Sequence, residues 1–187
     1  MLLVLPLAVL AYMLGALPFG VWIARRRGVD IQREGSGNTG ATNVARVLGR
    51  AAGIATLLLD TAKGALPTYL ALRWCGMPLV VAITAFAAVA GHCFSPFLAW
   101  KGGKGVATAL GVFLVISPFA AVCGIVGFVG MWRTTKIVAL GSLAGMAMIC
   151  LVLVARGQPV YAQLGTALLT LLLYTHRDNL IKLALGG

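Results

Sequence analysis

Charge is what this sequence has least of. Only 10% of its 187 residues are Asp, Glu, Lys or Arg, against roughly 25% in an ordinary soluble domain. The acidic residues are four, Asp30, Glu34, Asp60 and Asp178, and the histidines two, His92 and His176. That scarcity excludes a soluble globular surface. No hydrophilic stretch is long enough for a separate soluble domain, so residues 1–187 read as a single domain. Cys75, Cys93, Cys123 and Cys150 lie far apart with no Cys-x-x-Cys pair, which speaks against a disulfide or a metal site and for small packing side chains. Internal repeats, heptads and low-complexity linkers are missing as well. The N-terminus lacks the basic region of a signal peptide. Leu2–Ala24 followed by Arg25-Arg26-Arg27 is expected to be a retained span whose carboxyl end faces the cytoplasm.

What is present is apolar: 60% of residues are hydrophobic and the mean hydropathy is +0.99. Seven apolar segments can be drawn, Leu2–Ala24, Ala51–Leu72, Pro78–Ala99, Val106–Ile116, Phe119–Trp132, Ile137–Ala155 and Val160–Tyr174. A span needs roughly 20 residues, so the first three and the sixth are comfortable. The fourth reaches only about 16 Å and joins the fifth through Ser117-Pro118, a short or partly re-entrant pair. With the N-terminus outside and all seven alternating, one face receives Arg25, Arg26, Arg27, Arg33, Arg46, Arg50, Lys101, Lys104, Arg133, Lys136, Arg177 and Lys182. The other face receives only Arg73 and Arg156. Twelve against two fits the positive-inside rule, whereas merging segments four and five would send Arg133, Lys136, Arg177 and Lys182 outside. The expected fold is therefore an all-α integral membrane protein, a seven-helix transmembrane bundle with a short fourth/fifth helix pair, N-terminus outside and C-terminus cytoplasmic. The net charge of +11 is assigned to topology, and no nucleic-acid partner is expected. The many glycines suit close helix–helix approach.

Three polar clusters meet on the cytoplasmic side. The first runs Gly35-Ser36-Gly37-Asn38-Thr39-Gly40-Ala41-Thr42-Asn43-Val44-Ala45-Arg46, where interleaved Gly, Ser, Asn and Thr can form a nest of donors. The alternative is a turn with Thr42 or Asn43 opening a short surface helix. It is not a Walker loop, because Ala41-Thr42 stands where Lys-Ser/Thr would be required. The second runs from Gly91 through His92, Ser95-Pro96 and Lys101-Gly102-Gly103-Lys104-Gly105 to Thr108. Its glycines can turn N–H groups toward an anion while lysine supplies charge. The alternative is a satisfied interfacial histidine and two topology anchors, although an anchor needs no glycine-rich backbone. The third is Thr175-His176-Arg177-Asp178-Asn179-Leu180-Ile181-Lys182-Leu183. A helix puts His176 and Asn179 on one face, which suits proton transfer and oxyanion stabilisation; a polar helix end is the alternative. Within the second span Asp60 and Lys63 stand three apart and either face a wet interior or neutralise one another. Ser142, near the cytoplasmic end of the sixth segment, serves equally for helix packing.

Taken in order, GSGNTGATNVAR at 35–46, LLDTAKG at 58–64, GHCFSPFLAWKGGKGVAT at 91–108 and THRDNLIKL at 175–183 resemble the bacterial membrane-bound glycerol-3-phosphate acyltransferases that use acyl phosphate as donor. The likeness covers essentially the whole chain. Trp100, Asp178 and Lys182 depart from the usual Phe, Glu and Arg and keep the chemical type. The resemblance implies transfer of a fatty acyl group to the 1-hydroxyl of sn-glycerol 3-phosphate, with lysophosphatidate and phosphate as products, an early step of phospholipid synthesis in the bacterial cytoplasmic (inner) membrane. It implies no metal and no organic cofactor, membrane lipids as surroundings, and a soluble phosphate acyltransferase as the source of donor. The His-x-x-x-x-Asp pair of thioester-using glycerolipid acyltransferases is absent, since Phe97 follows His92 and Ile181 follows His176 at that spacing.

Both substrates carry phosphate, so the site needs two anion-binding regions. Candidate substrate-binding residues are Ser36, Gly37, Gly40, Thr42, Asn43, Arg46, Asp60, Lys63, His92, Ser95, Gly102, Gly103, Lys104 and Ser142. His176 is the candidate base, with Asn179 or Asn38 as oxyanion partner and Ser36 as a less favoured covalent carrier. The acceptor's own phosphate is the alternative proton acceptor. The competing reading is a transporter of a phosphorylated solute. It is disfavoured because the polar groups crowd one face, whereas alternating access places a site at the midplane between repeats.

Overall fold

In the computed structural model, which describes residues 4–185, ten α-helices follow one another and no strand occurs among the described residues. They are α1 (Val4–Ala16), α2 (Phe19–Arg25), α3 (Ala41–Leu48), α4 (Arg50–Trp74), α5 (Pro78–Cys93), α6 (Val106–Ile116), α7 (Pro118–Thr135), α8 (Val138–Ala155), α9 (Pro159–Thr175) and α10 (Arg177–Ala184). Proline opens α5, α7 and α9, where its missing N–H is not needed and its fixed φ suits the first turn. Three stretches are long and apolar enough to cross a bilayer on those criteria alone: Val4–Arg25, Pro78–Leu98 and Val138–Ala155.

All seven expected apolar segments are helical, with three differences. The first segment is broken at Leu17-Pro18 into α1 and α2, because proline cannot continue the hydrogen-bond ladder. The third ends at Cys93, and Pro96–Leu98 forms a single 3-10 turn. The fifth extends to 18 residues, four more than its apolar core, so the α6–α7 pair joins a helix of about 16 Å to one of about 27 Å. The shortness of α6 has a local cause. Its N-cap Gly105 lies against Cys93 and Val89, so α6 starts alongside the last turn of α5 after the loop has folded back.

Glycines set the helix spacing in reciprocal pairs. A Cβ at Gly15 would overlap the Ala88 carbonyl, and one at Gly91 the Tyr12 carbonyl, which locks α1 on α5. Gly64 meets the Thr108 carbonyl and Gly111 the Thr61 carbonyl, which locks α4 on α6. Gly124 and Gly145 face each other between α7 and α8. Such approach lets backbones touch where lipid offers no hydrophobic drive for association. Several hydroxyls inside helices are satisfied by the carbonyl one turn back, as in Thr56 to Ala52 at 2.9 Å and Thr68 to Gly64 at 2.7 Å.

Two apolar clusters result. The larger joins α5, α6, α8 and α9 around Phe113, Leu153, Leu168 and Leu172. The smaller gathers Val21, Ala24, Ile31, Val44 and Ala52 and seats the polar loop before α3 on α2 and α4.

Candidate active site

The segment between α5 and α6 carries Lys104, and its path follows from satisfied backbone groups. Leu98 and Trp100 donate to the Ser95 carbonyl at 3.1 and 2.9 Å. Ala99 and Trp100 then take left-handed conformations, φ 49° and 65°, and reverse the chain. Gly102 N–H donates to the Cys93 carbonyl and Gly103 N–H to the His92 carbonyl, both at 3.0 Å. These bonds cap the C-terminus of α5, whose last carbonyls lack helical donors. A Cβ at Gly102 would overlap the His92 carbonyl, and one at Gly103 the His92 ring. The expectation that these glycine N–H groups converge on an anion is thereby corrected. Two of them are committed to α5, and their small size is required for close approach.

Lys104 reaches the third cluster. Its ammonium donates to Asn179 Oδ1, and its backbone carbonyl accepts from Thr175 Oγ1 at 3.1 Å. A lysine only donates, so Asn179 must present oxygen to it and aim its NH2 donors elsewhere. Beside them His176 is buried at the α9–α10 junction. Its Nδ1 lies 2.8 Å from the Leu172 carbonyl. A carbonyl only accepts, so Nδ1 carries the proton and Nε2 keeps its lone pair. Burial holds the His176 pKa below its ordinary value, the Leu172 bond opposes this, and the Lys104 charge adds to the lowering. Burial likewise lowers the Lys104 pKa, with Asp178 pulling it up and Lys182 pushing it down.

The first cluster is built around Asn43. Its Nδ2 donates to the carbonyls of Glu34 at 2.9 Å, Asn38 at 3.0 Å and Ile31 at 3.4 Å. Its Oδ1 accepts from Ser36 N–H at 2.9 Å and from Arg46 Nη1 at 3.3 Å. Asn43 is thus spent on shaping the loop, and it does not open α3, whose N-cap is Gly40. Asn38 Oδ1 accepts from Gly40 N–H at 2.8 Å, leaving its NH2 donors for another partner. Ser36, Thr42 and Arg46 are exposed, and Gly37 takes φ 69° in the turn beside Ser36.

Asp60, Lys63, His92 and Ser95 come together deeper, at the break in the first span. Lys63 Nζ pairs with Asp60 Oδ1 at 2.9 Å and donates to the Leu17 carbonyl at 2.9 Å. Ser95 Oγ donates to the Ala16 carbonyl at 2.7 Å. A small recess with room for about one water molecule lies among these residues, Gly20 and Thr39. Asp60 and Lys63 neutralise one another and also line this recess, so both readings of the pair are seen. Ser142 lies on α8, buried near its N-terminal end. Its hydroxyl donates to the Val138 carbonyl at 2.9 Å, and α8 packs chiefly on α7 and α9.

Sequence reasoning left out Thr175 and Thr39. The first adjoins His176 in the same motif, a usable signal; the burial of the second depends on α2 packing and leaves no mark in the loop. Among the described residues no three His, Cys, Asp or Glu side chains are grouped to hold a metal ion.

Residues 5–186 match the family described as Glycerol-3-phosphate acyltransferase. A glycerol-3-phosphate acyltransferase of Myxococcus xanthus is 46% identical over 95% of this chain and 94% of its own length. One from Geobacter sulfurreducens is 43% identical over 96% and 93%. Among solved structures, the glycerol 3-phosphate form of PlsY, an integral membrane glycerol 3-phosphate acyltransferase, superposes with a TM-score of 0.94 at 38% identity, covering 98% of this chain and 92% of that one. Its lysophosphatidic acid form gives 0.93 at 37% with the same coverage. Matched over residues 5–186 and superposing over 98% of its length, this chain belongs to the integral-membrane glycerol-3-phosphate acyltransferase family.

Proposed function

We propose that the chain transfers a fatty acyl group from acyl phosphate to the 1-hydroxyl of glycerol 3-phosphate, at the cytoplasmic face of a bacterial inner membrane. Acyl transfer to glycerol 3-phosphate is the activity that its family carries; the donor and the residue roles follow from the chemistry of the site. The observation that carries them is the meeting of Lys104, Asn179 and His176, where an ammonium, an amide donor and a neutral imidazole share one spot. In the reaction the acceptor hydroxyl oxygen attacks the acyl carbonyl carbon, His176 Nε2 takes the hydroxyl proton, and the bond to the donor's phosphate oxygen breaks. Asn179, oriented by Lys104, stabilises the oxyanion. Lys104 and Arg46 neutralise the two phosphates, and the loop of Ser36, Gly37 and Asn38 donates hydrogen bonds to them. Phosphate leaves readily, so Ser36 serves as a donor group and no covalent carrier is needed.

Supporting the sidedness is the twelve-to-two distribution of Lys and Arg, which favours a topology of seven spans with the N-terminus outside, the C-terminus inside and all three clusters facing the cytoplasm. A donor that is both fatty and phosphorylated enters from the lipid, and a soluble phosphate acyltransferase acting at the membrane would supply it.

The test is purified protein in lipid vesicles with acyl phosphate and labelled glycerol 3-phosphate. Lysophosphatidate and phosphate are expected in equal amounts. Product from an acyl thioester and none from acyl phosphate would overturn the donor assignment. Lys104→Ala is expected to insert normally and lose at least 100-fold in turnover; near-normal turnover would refute its role.

A further inference from the structure

The buried pair Asp60–Lys63 and the imidazole of His92 have no place in the transfer step. Their side chains are nearly fully enclosed, 3%, 4% and 6% exposed. Ionised groups within a membrane span are costly, and a buried ion pair is often no better than apolar residues of equal volume. What these groups touch points to their use. Lys63 holds the Leu17 carbonyl, where Pro18 interrupts the first span and frees backbone groups. Ser95, from the segment beyond α5, holds the adjoining Ala16 carbonyl, and Tyr12 OH donates from α1 to the Phe94 carbonyl. Just past the break, Gly20 packs so closely under the Thr39 carbonyl that a Cβ would overlap it. The position of the broken helix therefore sets the height of the Ser36–Gly40 loop.

On the other side, His92 connects the pair to Lys104. Its ring fills the space above Gly103, and its carbonyl accepts the Gly103 N–H. Its Nδ1 has no hydrogen-bond partner and faces Asp60 Oδ1 at 3.8 Å, too far for a direct bond. The recess between them has room for about one water molecule, which would bridge the two.

From this juxtaposition we propose that Asp60, Lys63 and His92 are positioning residues. Without touching substrate, they fix the distance between the Ser36–Gly40 loop and Lys104, and so between the two phosphate-binding regions. The proposal rests on the acyl-transfer reading for its kinetic test only.

The decisive variant is the doubly neutral Asp60→Asn/Lys63→Met, which leaves no unpaired buried charge. Each substrate still meets its own half-site, so the glycerol 3-phosphate Kd is expected to stay within 3-fold while kcat falls at least 10-fold. A Kd weakened 30-fold or more would mean that Lys63 binds phosphate directly, and an unchanged kcat would mean a purely structural pair; either overturns the proposal. Because that variant can fail to fold, His92→Gln is paired with spin labels at the exposed positions 33 and 101. The distance distribution between the labels is expected to broaden or shift relative to the parent, and an identical distribution overturns the proposal. If the parent forms no lysophosphatidate, the acyl-transfer reading fails while the label distances still test the positioning.

Discussion

Residue roles here are decided by which lone pairs and protons remain after the backbone has taken its share. His176 gives its Nδ1 proton to the Leu172 carbonyl, which leaves Nε2 as a base. Burial first, and the Lys104 charge after it, keep the imidazole below the ordinary value of 6.5. A base works in its neutral form, so a lowered pKa extends that form to more acidic pH. The acidic limb of the kcat profile is expected below pH 6.5 and absent in His176→Gln, whose kcat should fall at least 100-fold. A limb unchanged in that variant would transfer the proton to the acceptor's own phosphate, which ionises near pH 6. Asn43 shows the opposite outcome. It stands in a motif that reads as a ligand set, yet both ends of its amide are consumed by the loop. Asn43→Ala would remove the partner of the buried Ile31 carbonyl, of the part-buried Glu34 and Asn38 carbonyls and of the Ser36 N–H, at about 1–3 kcal/mol for each of them that water does not reach. It should release the loop to proteolysis before it affects the helices.

Elements are placed by glycine contacts that propensity alone argues against. Gly costs about 1 kcal/mol relative to Ala inside a helix, so replacing it should stabilise wherever space allows. At Gly130 nothing lies within 4 Å of a new Cβ, while at Gly64 the Thr108 carbonyl blocks it. Gly130→Ala is expected to raise the thermal midpoint slightly. Gly64→Ala should lower it, since overpacking costs about 1–3 kcal/mol; equal midpoints would mean that α4 and α6 slide freely. Abundant glycine announced close packing, but which helix each glycine meets was not readable, because α4 pairs with α6 and α1 with α5 across long stretches of chain. The loop that carries Lys104 is another such case. Lys101-Gly102-Gly103-Lys104-Gly105 reads as an anion cradle, and only the left-handed turn at Ala99 and Trp100 shows two of its N–H groups returning to α5.

For the whole molecule, the charge distribution predicts sidedness directly. In a cysteine-free background, single cysteines at positions 133 and 177 should resist a membrane-impermeant maleimide on intact cells, and one at 156 should react. Labelling at 133 and 177 with 156 protected would mean that the α6–α7 pair does not return to the cytoplasm. Composition and periodic apolarity were enough to determine the class of protein, the helical segments and the three polar clusters, because a bilayer demands long apolar helices and selects the side on which lysine and arginine lie. The family was legible for the same reason, its polar loops standing out against an apolar background. Tertiary structure alone decided what holds the carbonyls freed at Pro18, the seating of Asn43, and the division of the polar residues into an outer group around Lys104 and an inner one around Lys63. These depend on which buried carbonyls lack a donor once the helices are packed. That tally involves residues as distant as Leu17 and Lys63, which no local pattern links.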